Sequence, residues 1–350
     1  MFQMTAEGAI SQEISDLLDV LGAASLIIDN QGTVVRGSAN AVQLGLVSSN
    51  LLVHRSLSEL VDRARASRTP MESEFELVTG MRGERSYVYA RAGRIDSKHI
   101  LLLVEDRTEA RRVDETRRDF IANISHELKT PIGAIGLLSE ALVENTDDQD
   151  MVKRFAANLQ RESTRLANLV QDIIQLSRVQ SAETSMNFGP VDLAGVIHDA
   201  VERNQVMADK KGIKFKVATP QGHVVNGDAE ALGMAIKNLI ENAVIYSDED
   251  SQVGIGLRSV KGIAEITVID SGIGISVEDQ ERIFERFYRV DQSRSRQTGG
   301  TGLGLAIVKH VALNHRGEVR LFSQPGTGST FTLRIPEAPS QLTDNGKEKE

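Results

Sequence analysis

The sequence predicts a multidomain α+β chain: a small mixed module, a long two-helix hairpin, and a larger α/β domain. Three observations carry this. Alternating apolar runs separated by turn signals occupy residues 14–106, apolar residues at spacings of three and four run over residues 108–183, and helical and strand patterns interleave over residues 191–335 around glycine clusters. At 350 residues the length suits two or three domains with real cores.

In the first module, residues 24–29 read as a strand, 30–32 as a turn and 33–36 as a second strand. Residues 72–77, 85–95 and 98–104 follow as strand candidates, with SYVYARA alternating as a half-buried strand does. In the next segment Val113, Phe120, Ile121, Ile124, Leu128, Ile132, Ile135, Leu138 and Leu142 predict one buried stripe along a helix. After the acidic reversal ENTDDQD, a second helix carries Val152, Phe155, Leu159, Leu166, Leu169, Ile173 and Leu176. Two helices cannot hide such stripes alone. Pairing with a second copy into a four-helix bundle is therefore expected, which makes the chain a homodimer. SAETSMNFGP reads as a linker, and the polar end PSQLTDNGKEKE as a disordered tail.

The first helix carries RRDFIANISHELKTP. At about 100° per residue His126 lies roughly 200° from both Ile124 and Leu128, so it faces away from the stripe. An exposed neutral imidazole is a nucleophile near neutral pH, and Glu127 beside it can hold the ring and take a proton. Thr130, four residues on, shares the face of His126, and Pro131 deprives the Glu127 carbonyl of its helical partner.

Composition narrows the function classes. A net charge of −9 and a pI near 5.4 argue against nucleic acid as the main partner. Zero cysteines exclude a disulfide framework, thiolate zinc sites and a cysteine nucleophile, and fit a reducing compartment. The longest apolar runs fall well short of the ~20 residues of a membrane span, and the N-terminus is too polar for a signal peptide.

Three glycine clusters point to a nucleotide. ITVIDSGIGI is a strand ending in Asp270, followed by Gly272 and Gly274; the third glycine of a dinucleotide fingerprint would fall at Val277, and no GxxxxGK[ST] run occurs. GGTGLGLAIVKHV runs directly into an amphipathic helix, whose N-terminal N–H groups and dipole favour phosphate. GTGSTF reads only as a turn entering a last strand. Upstream, NLIENA places Asn238 and Asn242 four apart on one helical face, and amide oxygens of this kind suit Mg²⁺.

FIANISHELKTP resembles the phosphoacceptor motif of two-component sensor histidine kinases, and the order NLIENA, DSGIGI, IFERFYR, GGTGLGLAI, GTGSTF resembles their N, G1, F, G2 and G3 boxes, the Bergerat or GHKL nucleotide fold. HELKTP and GLGLAIVKHVALNH are most similar to the PhoR-type branch, nearest the actinobacterial phosphate-responsive sensor kinases. The resemblance implies an ATP- and Mg²⁺-dependent protein histidine kinase that phosphorylates His126, passes the phosphoryl group to an aspartate of a response regulator, and dephosphorylates that regulator with help from Thr130. It implies that Asn242 ligates Mg²⁺ with Asn238 assisting, that Asp270 accepts from the adenine amino group, and that Gly272 and Gly274 admit the base. Tyr246 would flank the nucleotide. Phe284 and Phe287 would anchor a lid through SRSRQTGG, and Gly300, Thr301, Gly302, Leu303 and Gly304 would close over the phosphates. Many relatives have a lysine where this chain has Ile245, which leaves a phosphate contact to an arginine such as Arg294 or Arg296.

More weakly, LLDVLGAASLIIDNQGTVVRGSANA resembles a PAS sensor domain and EDRTEARR its exit into a helix. His54 and His99 read as turn histidines rather than haem ligands, and the module is expected to hold no prosthetic group. The expected division is a tail at 1–13, the PAS-like domain at 14–107, the dimerisation and phosphotransfer hairpin at 108–184, the GHKL domain at 185–337, and a tail at 338–350. Many kinases of this family carry N-terminal anchors. The chain therefore reads as cytoplasmic, either a soluble member or the cytoplasmic portion of a kinase anchored upstream. Two other classes share parts of the pattern. A GHKL ATPase of the chaperone or repair type would not require HELKTP on a dimerising hairpin, and a degenerate scaffold would not require His126, Asn242 and Asp270 together.

Overall fold

The computed structural model describes residues 23–67, 69–79, 84–144, 147–180, 187–290 and 300–338. The expected N-terminal tail, the expected C-terminal tail after Ala338, the Arg294 and Arg296 lid segment and most of the SAETSMNFGP linker lie outside these. The chain divides into two compact units, Met1–Ala122 and Asn123–Glu350.

In the first unit β1 (Ala24–Ile28), β2 (Val34–Gly37), β5 (Met71–Thr79), β6 (Glu84–Arg94) and β7 (Ile100–Asp106) form an antiparallel sheet in the order β2-β1-β7-β6-β5. The β1–β2 turn forms because Asp29 Oδ1 accepts from the N–H groups of Gln31 and Thr33, with Gly32 at φ 87°. Between β2 and β5 lie α1 (Ala39–Gln43), the short β3 (Val47–Ser48) and β4 (Leu51–Leu52), and α2 (Arg55–Ala66). Helix α2 buries Leu57, Leu60, Val61 and Ala64 at helical spacing, against Leu26, Ile28, Ala90, Leu102 and Val104. His54 stands at the N-cap position of α2, and His99 pairs with Asp96 at 2.9 Å.

Helix α3 (Thr108–Glu144) leaves this sheet through a tight junction. The Thr108 hydroxyl accepts from Tyr87 N–H at 2.9 Å, while Arg107 and Arg111 stack over Tyr89 and Tyr87, each 4.2 Å from the ring centre. The expectation of one buried stripe on α3 does not hold within a single chain. Val113, Ile121 and Ile132 are more than half exposed, Phe120, Ile124, Leu128, Ile135, Leu138 and Leu142 are half-buried, and Pro131 is the buried position. The returning helix is α4 (Gln149–Gln180). Its own Val152, Phe155, Leu159, Leu166 and Ile173 are also half-buried, and burial is complete only at Leu169, Leu176 and Val179.

Beyond the hairpin, five strands assemble in the order β13-β14-β12-β11-β9: β9 (Lys214–Ala218), β11 (Gln252–Val260), β12 (Ile263–Asp270), β13 (Glu318–Gln324) and β14 (Gly328–Pro336). The β9–β11 pair is parallel and the others antiparallel. Strands β8 (Gly189–Asp192) and β10 (Val224–Gly227) form a separate antiparallel pair. Helices α5 (Leu193–Lys210), α6 (Ala229–Tyr246) and α8 (Gly304–Asn314) supply the buried apolar layer, with the short α7 (Val277–Gln280) after β12. Among the described residues, no helix is long and apolar enough to cross a membrane.

The start of α6 depends on a buried histidine. Asp228 caps the helix by accepting from Ala231 N–H, and its own N–H donates to His315 Nε2 at 2.9 Å, while His315 Nδ1 bonds the Val311 carbonyl at 2.8 Å. Both bonds require the neutral ring with its proton on Nδ1. Burial depresses the His315 pKa below its usual value. A group depressed in the folded state stabilises fully above its unfolded pKa, near 6.5, and that stability is lost as pH falls through the folded value. The melting temperature should therefore drop between about pH 7.5 and about pH 5. His315→Gln, with one donor and one acceptor and no titration, should make that drop smaller; an undiminished drop measured by calorimetry would assign it elsewhere.

Candidate active site

The end of β12 places Asp270 in a pocket where it is only 7% exposed. Its Oδ1 accepts from Gly272 N–H at 3.0 Å and from Ser329 N–H at 3.1 Å, so both bonds fall on one oxygen and Oδ2 stays available to a ligand. Burial raises the Asp270 pKa, and the two N–H bonds pull the other way. Around it the backbone is packed too closely for side chains. A Cβ on Gly272 would sit 2.2 Å from the Tyr246 carbonyl oxygen, and one on Gly274, at φ 67°, would sit 2.1 Å from the Gln324 carbonyl oxygen. The GTGSTF turn is part of this pocket, since Gly328, at φ 124°, abuts the Asp270 carbonyl and Gly326 N–H bonds the Ile273 carbonyl at 2.8 Å. Ser329 was not singled out in the sequence. Its run was, but a turn motif carries no sign that one of its N–H groups reaches a carboxylate 59 residues earlier.

Helix α6 forms a second wall. Asn238 is buried and its amide donates to the Gly304 carbonyl at 3.4 Å, so it is no solvated surface amide. Asn242 follows one turn later, half-buried, and Tyr246 ends the helix 42% exposed. The run from Gly300 enters α8 at Gly304. Leu303 is fully buried and its N–H donates to the Thr301 hydroxyl at 3.2 Å, while Gly302, at φ 75°, accepts from Phe287 N–H at 2.9 Å. Phe287 itself has φ 62°, a strained value for a bulky residue. Phe284 packs edge-on to Phe331 with ring centres 6.5 Å apart. Gly302 is thus tied to Phe287, and Phe284 to β14.

His126 and Thr130 are exposed on α3. The Thr130 hydroxyl donates to the His126 carbonyl at 3.3 Å, back-bonding along the helix just before Pro131. Glu127 is engaged elsewhere than at the ring, with Arg165 of α4 at 3.7 Å and Arg289 at 3.5 Å. Arg289, two residues after Phe287, therefore joins the segment that holds the glycine run to the position beside His126. A second link joins the same two parts, for the Thr301 hydroxyl donates to Asp172 of α4 at 2.5 Å, and burial raises the Asp172 pKa. Asp172 lies on the face of α4 that carries Leu169, Leu176 and Val179, where Asn314 of α8 also donates to the Val179 carbonyl at 2.7 Å. Arg165, Asp172 and Arg289 carry no sequence signal that pairs them across the chain.

The chemistry available is specific. A buried carboxylate with one free oxygen suits a purine amino group. Nearby lie amide oxygens, an apolar-anchored glycine run and a helix N-terminus, which suit phosphates and a hard cation.

Comparison with known proteins agrees with this geometry. Residues 227–339 match the histidine kinase-, DNA gyrase B-, and HSP90-like ATPase family, and residues 116–182 match the His Kinase A (phospho-acceptor) domain. The sensor-like histidine kinase SenX3 of Mycolicibacterium smegmatis is 43% identical over 336 residues, covering 94% of this chain and 87% of that protein. SenX3 of Mycobacterium tuberculosis is 42% identical, covering 93% and 80%. The phosphate regulon sensor protein PhoR of Pseudomonas aeruginosa is 32% identical, covering 96% and 76%. A crystal structure of histidine kinase ThkA in complex with response regulator protein TrrA aligns over 93% of this chain and 99% of that one, at TM-score 0.52 and 20% identity, and shows the shared fold. The chain belongs to the sensor histidine kinases of two-component systems, as a PhoR-like member: an ATP-dependent protein kinase that phosphorylates its own histidine and passes the phosphoryl group to a response regulator.

Proposed function

We propose that His126 is the phosphoacceptor and that the pocket around Asp270 holds the adenine of Mg-ATP. The observation that carries this reading is the Asp270 carboxylate, buried among Gly272, Gly274 and Gly328 with one oxygen uncommitted. Asn242, with Asn238 one turn before it, would hold Mg²⁺ by its amide oxygen, and the bound cation would supply charge neutralisation at the phosphates. Tyr246 would flank the nucleotide, Phe284 and Phe287 would anchor the lid, and Gly300, Thr301, Gly302, Leu303 and Gly304 would line the phosphates.

The reaction then follows from positioning. The lone pair of His126 Nε2 attacks the γ-phosphorus, the N–P bond forms as the bond to the bridging β,γ-oxygen breaks, and ADP leaves. The Nδ1 proton passes to Glu127, whose Oε2 lies 3.5 Å from Arg289. The half-exposed stripes of α3 and α4 support a homodimer joined through a four-helix bundle. The domain division stays as read from the sequence, at 108, 184 and 337, with a PAS-like module first. An antiparallel five-stranded sheet with helices on the β2–β5 connection supports that last assignment.

Incubation with γ-labelled ATP and Mg²⁺ tests the reading. Label that is lost in acid and kept in base is expected; acid-stable label would mean a hydroxyl acceptor instead. Thr130→Ala should retain autophosphorylation and slow dephosphorylation of the phosphorylated regulator by about tenfold, the equivalent of one hydrogen bond lost from the transition state. A dephosphorylation rate equal to that of the unmodified kinase would remove Thr130 from that role.

A further inference from the structure

We propose that Lys211 is a positioning residue of the nucleotide site, fixing the end of α6 so that Tyr246, Ser247 and Gly272 stay seated behind Asp270. The proposal rests on the nucleotide reading above. Lys211 is the first residue beyond α5, and its ammonium donates to three main-chain carbonyls, Ile245 at 2.7 Å, Ser247 at 3.0 Å and Val244 at 3.1 Å. An ammonium group has three donors, and here every one meets a backbone oxygen at the C-terminus of α6.

Helix α6 requires such a group. Its last carbonyls have no intrahelical partners, they carry the negative end of the dipole, and its final turn contains no basic residue. Lys211 supplies the missing cation from a different helix, more than thirty residues earlier in the chain. Its own backbone is pinned on both sides, its N–H on the Ala208 carbonyl at 3.0 Å and its carbonyl oxygen on the Asp250 N–H at 2.9 Å. The cation therefore has a defined origin as well as a defined target.

The consequence for the site follows through contacts. Ser247 pairs with Gly272 as an isolated antiparallel bridge, and the Tyr246 carbonyl lies so near Gly272 that a Cβ there would approach within 2.2 Å. Gly272 N–H in turn holds Asp270 Oδ1. Movement at the end of α6 thus displaces one of the two groups that orient the Asp270 carboxylate. Lys211 touches neither nucleotide nor acceptor. It should therefore govern how well the site binds rather than how fast the bound complex reacts.

The test uses the full chain with Mg-ATP and compares K211M with K211R. K211M removes three charge-assisted donors and should raise KM for ATP about tenfold while the rate at saturating ATP stays within about twofold. K211R, still cationic, should return KM to within about threefold of the starting value. An unchanged KM in folded K211M, or a rise that K211R shares in full, would overturn the proposal. If K211M does not fold, K211Q takes its place, since its neutral amide fills much of the same space, and the same split decides. D270N measured alongside separates the two levels. Loss of nucleotide binding in D270N with unchanged KM in the Lys211 variant overturns the Lys211 role alone, whereas retained binding in D270N overturns the site on which it rests.

Discussion

His126→Gln should abolish acid-labile phosphorylation and leave nucleotide binding intact. Glutamine is close to histidine in size, and the position is exposed on α3 with its neighbour Glu127 already held by Arg165 and Arg289. Substitutions at such surface positions change stability by only about 0.5 kcal/mol or less. The amide nitrogen of glutamine has its lone pair delocalised into the carbonyl, so it offers no nucleophile to phosphorus. The label should fall to background with the melting temperature unchanged and the affinity for an ATP analogue within about twofold. Persistent acid-labile label in His126→Gln would point to another of the seven histidines as acceptor.

Asp270→Asn should have the second largest effect, and it should act on binding. An asparagine oxygen can keep the two bonds from Gly272 and Ser329, so the pocket survives. The amide NH₂ then replaces Oδ2, and a donor faces the adenine amino donor where an acceptor stood. One charge-assisted bond is lost, at about 1.5–3 kcal/mol, and two donors are left opposed in a buried site, at a further 1–3 kcal/mol or so. The dissociation constant for Mg-ATP should rise by at least about a hundredfold. Calorimetric titration checks it, and a rise below tenfold would mean that Asp270 is not the adenine acceptor. Because burial raises the carboxyl pKa, the same loss should develop in the unmodified chain as pH falls and Asp270 protonates, at higher pH than for a solvated aspartate.

Much of the site was legible in the sequence because its parts are local. HELKTP, DSGIGI and GGTGLGLAI each place their residues within one helix turn or one loop, and the structure joins Asn238 to Gly304, Phe287 to Gly302, and Gly272 to Asp270 and to the end of α6. The helical spacing on α3 and α4 was equally readable, although burial was not: a periodic pattern reports which residues share a face, and whether that face is covered depends on what packs against it. In a single chain the stripe is half-covered.

What the sequence determined by itself was the order of the main segments, the exposed histidine opposite an apolar stripe, the absence of thiol chemistry, and the glycine-rich runs that the structure packs against neighbouring backbone. Tertiary structure alone decided the long-range partners. Ser329 on Asp270, Lys211 on the end of α6, Arg289 and Arg165 on Glu127, and Asp172 on Thr301 all join residues from different elements. The physical reason is that a hydrogen bond or ion pair needs only two groups within about 3–4 Å, and any lysine, arginine or serine along a chain is chemically equal to the task. Only the packing of α4, α5, α6 and β14 around the site selects which of them arrives.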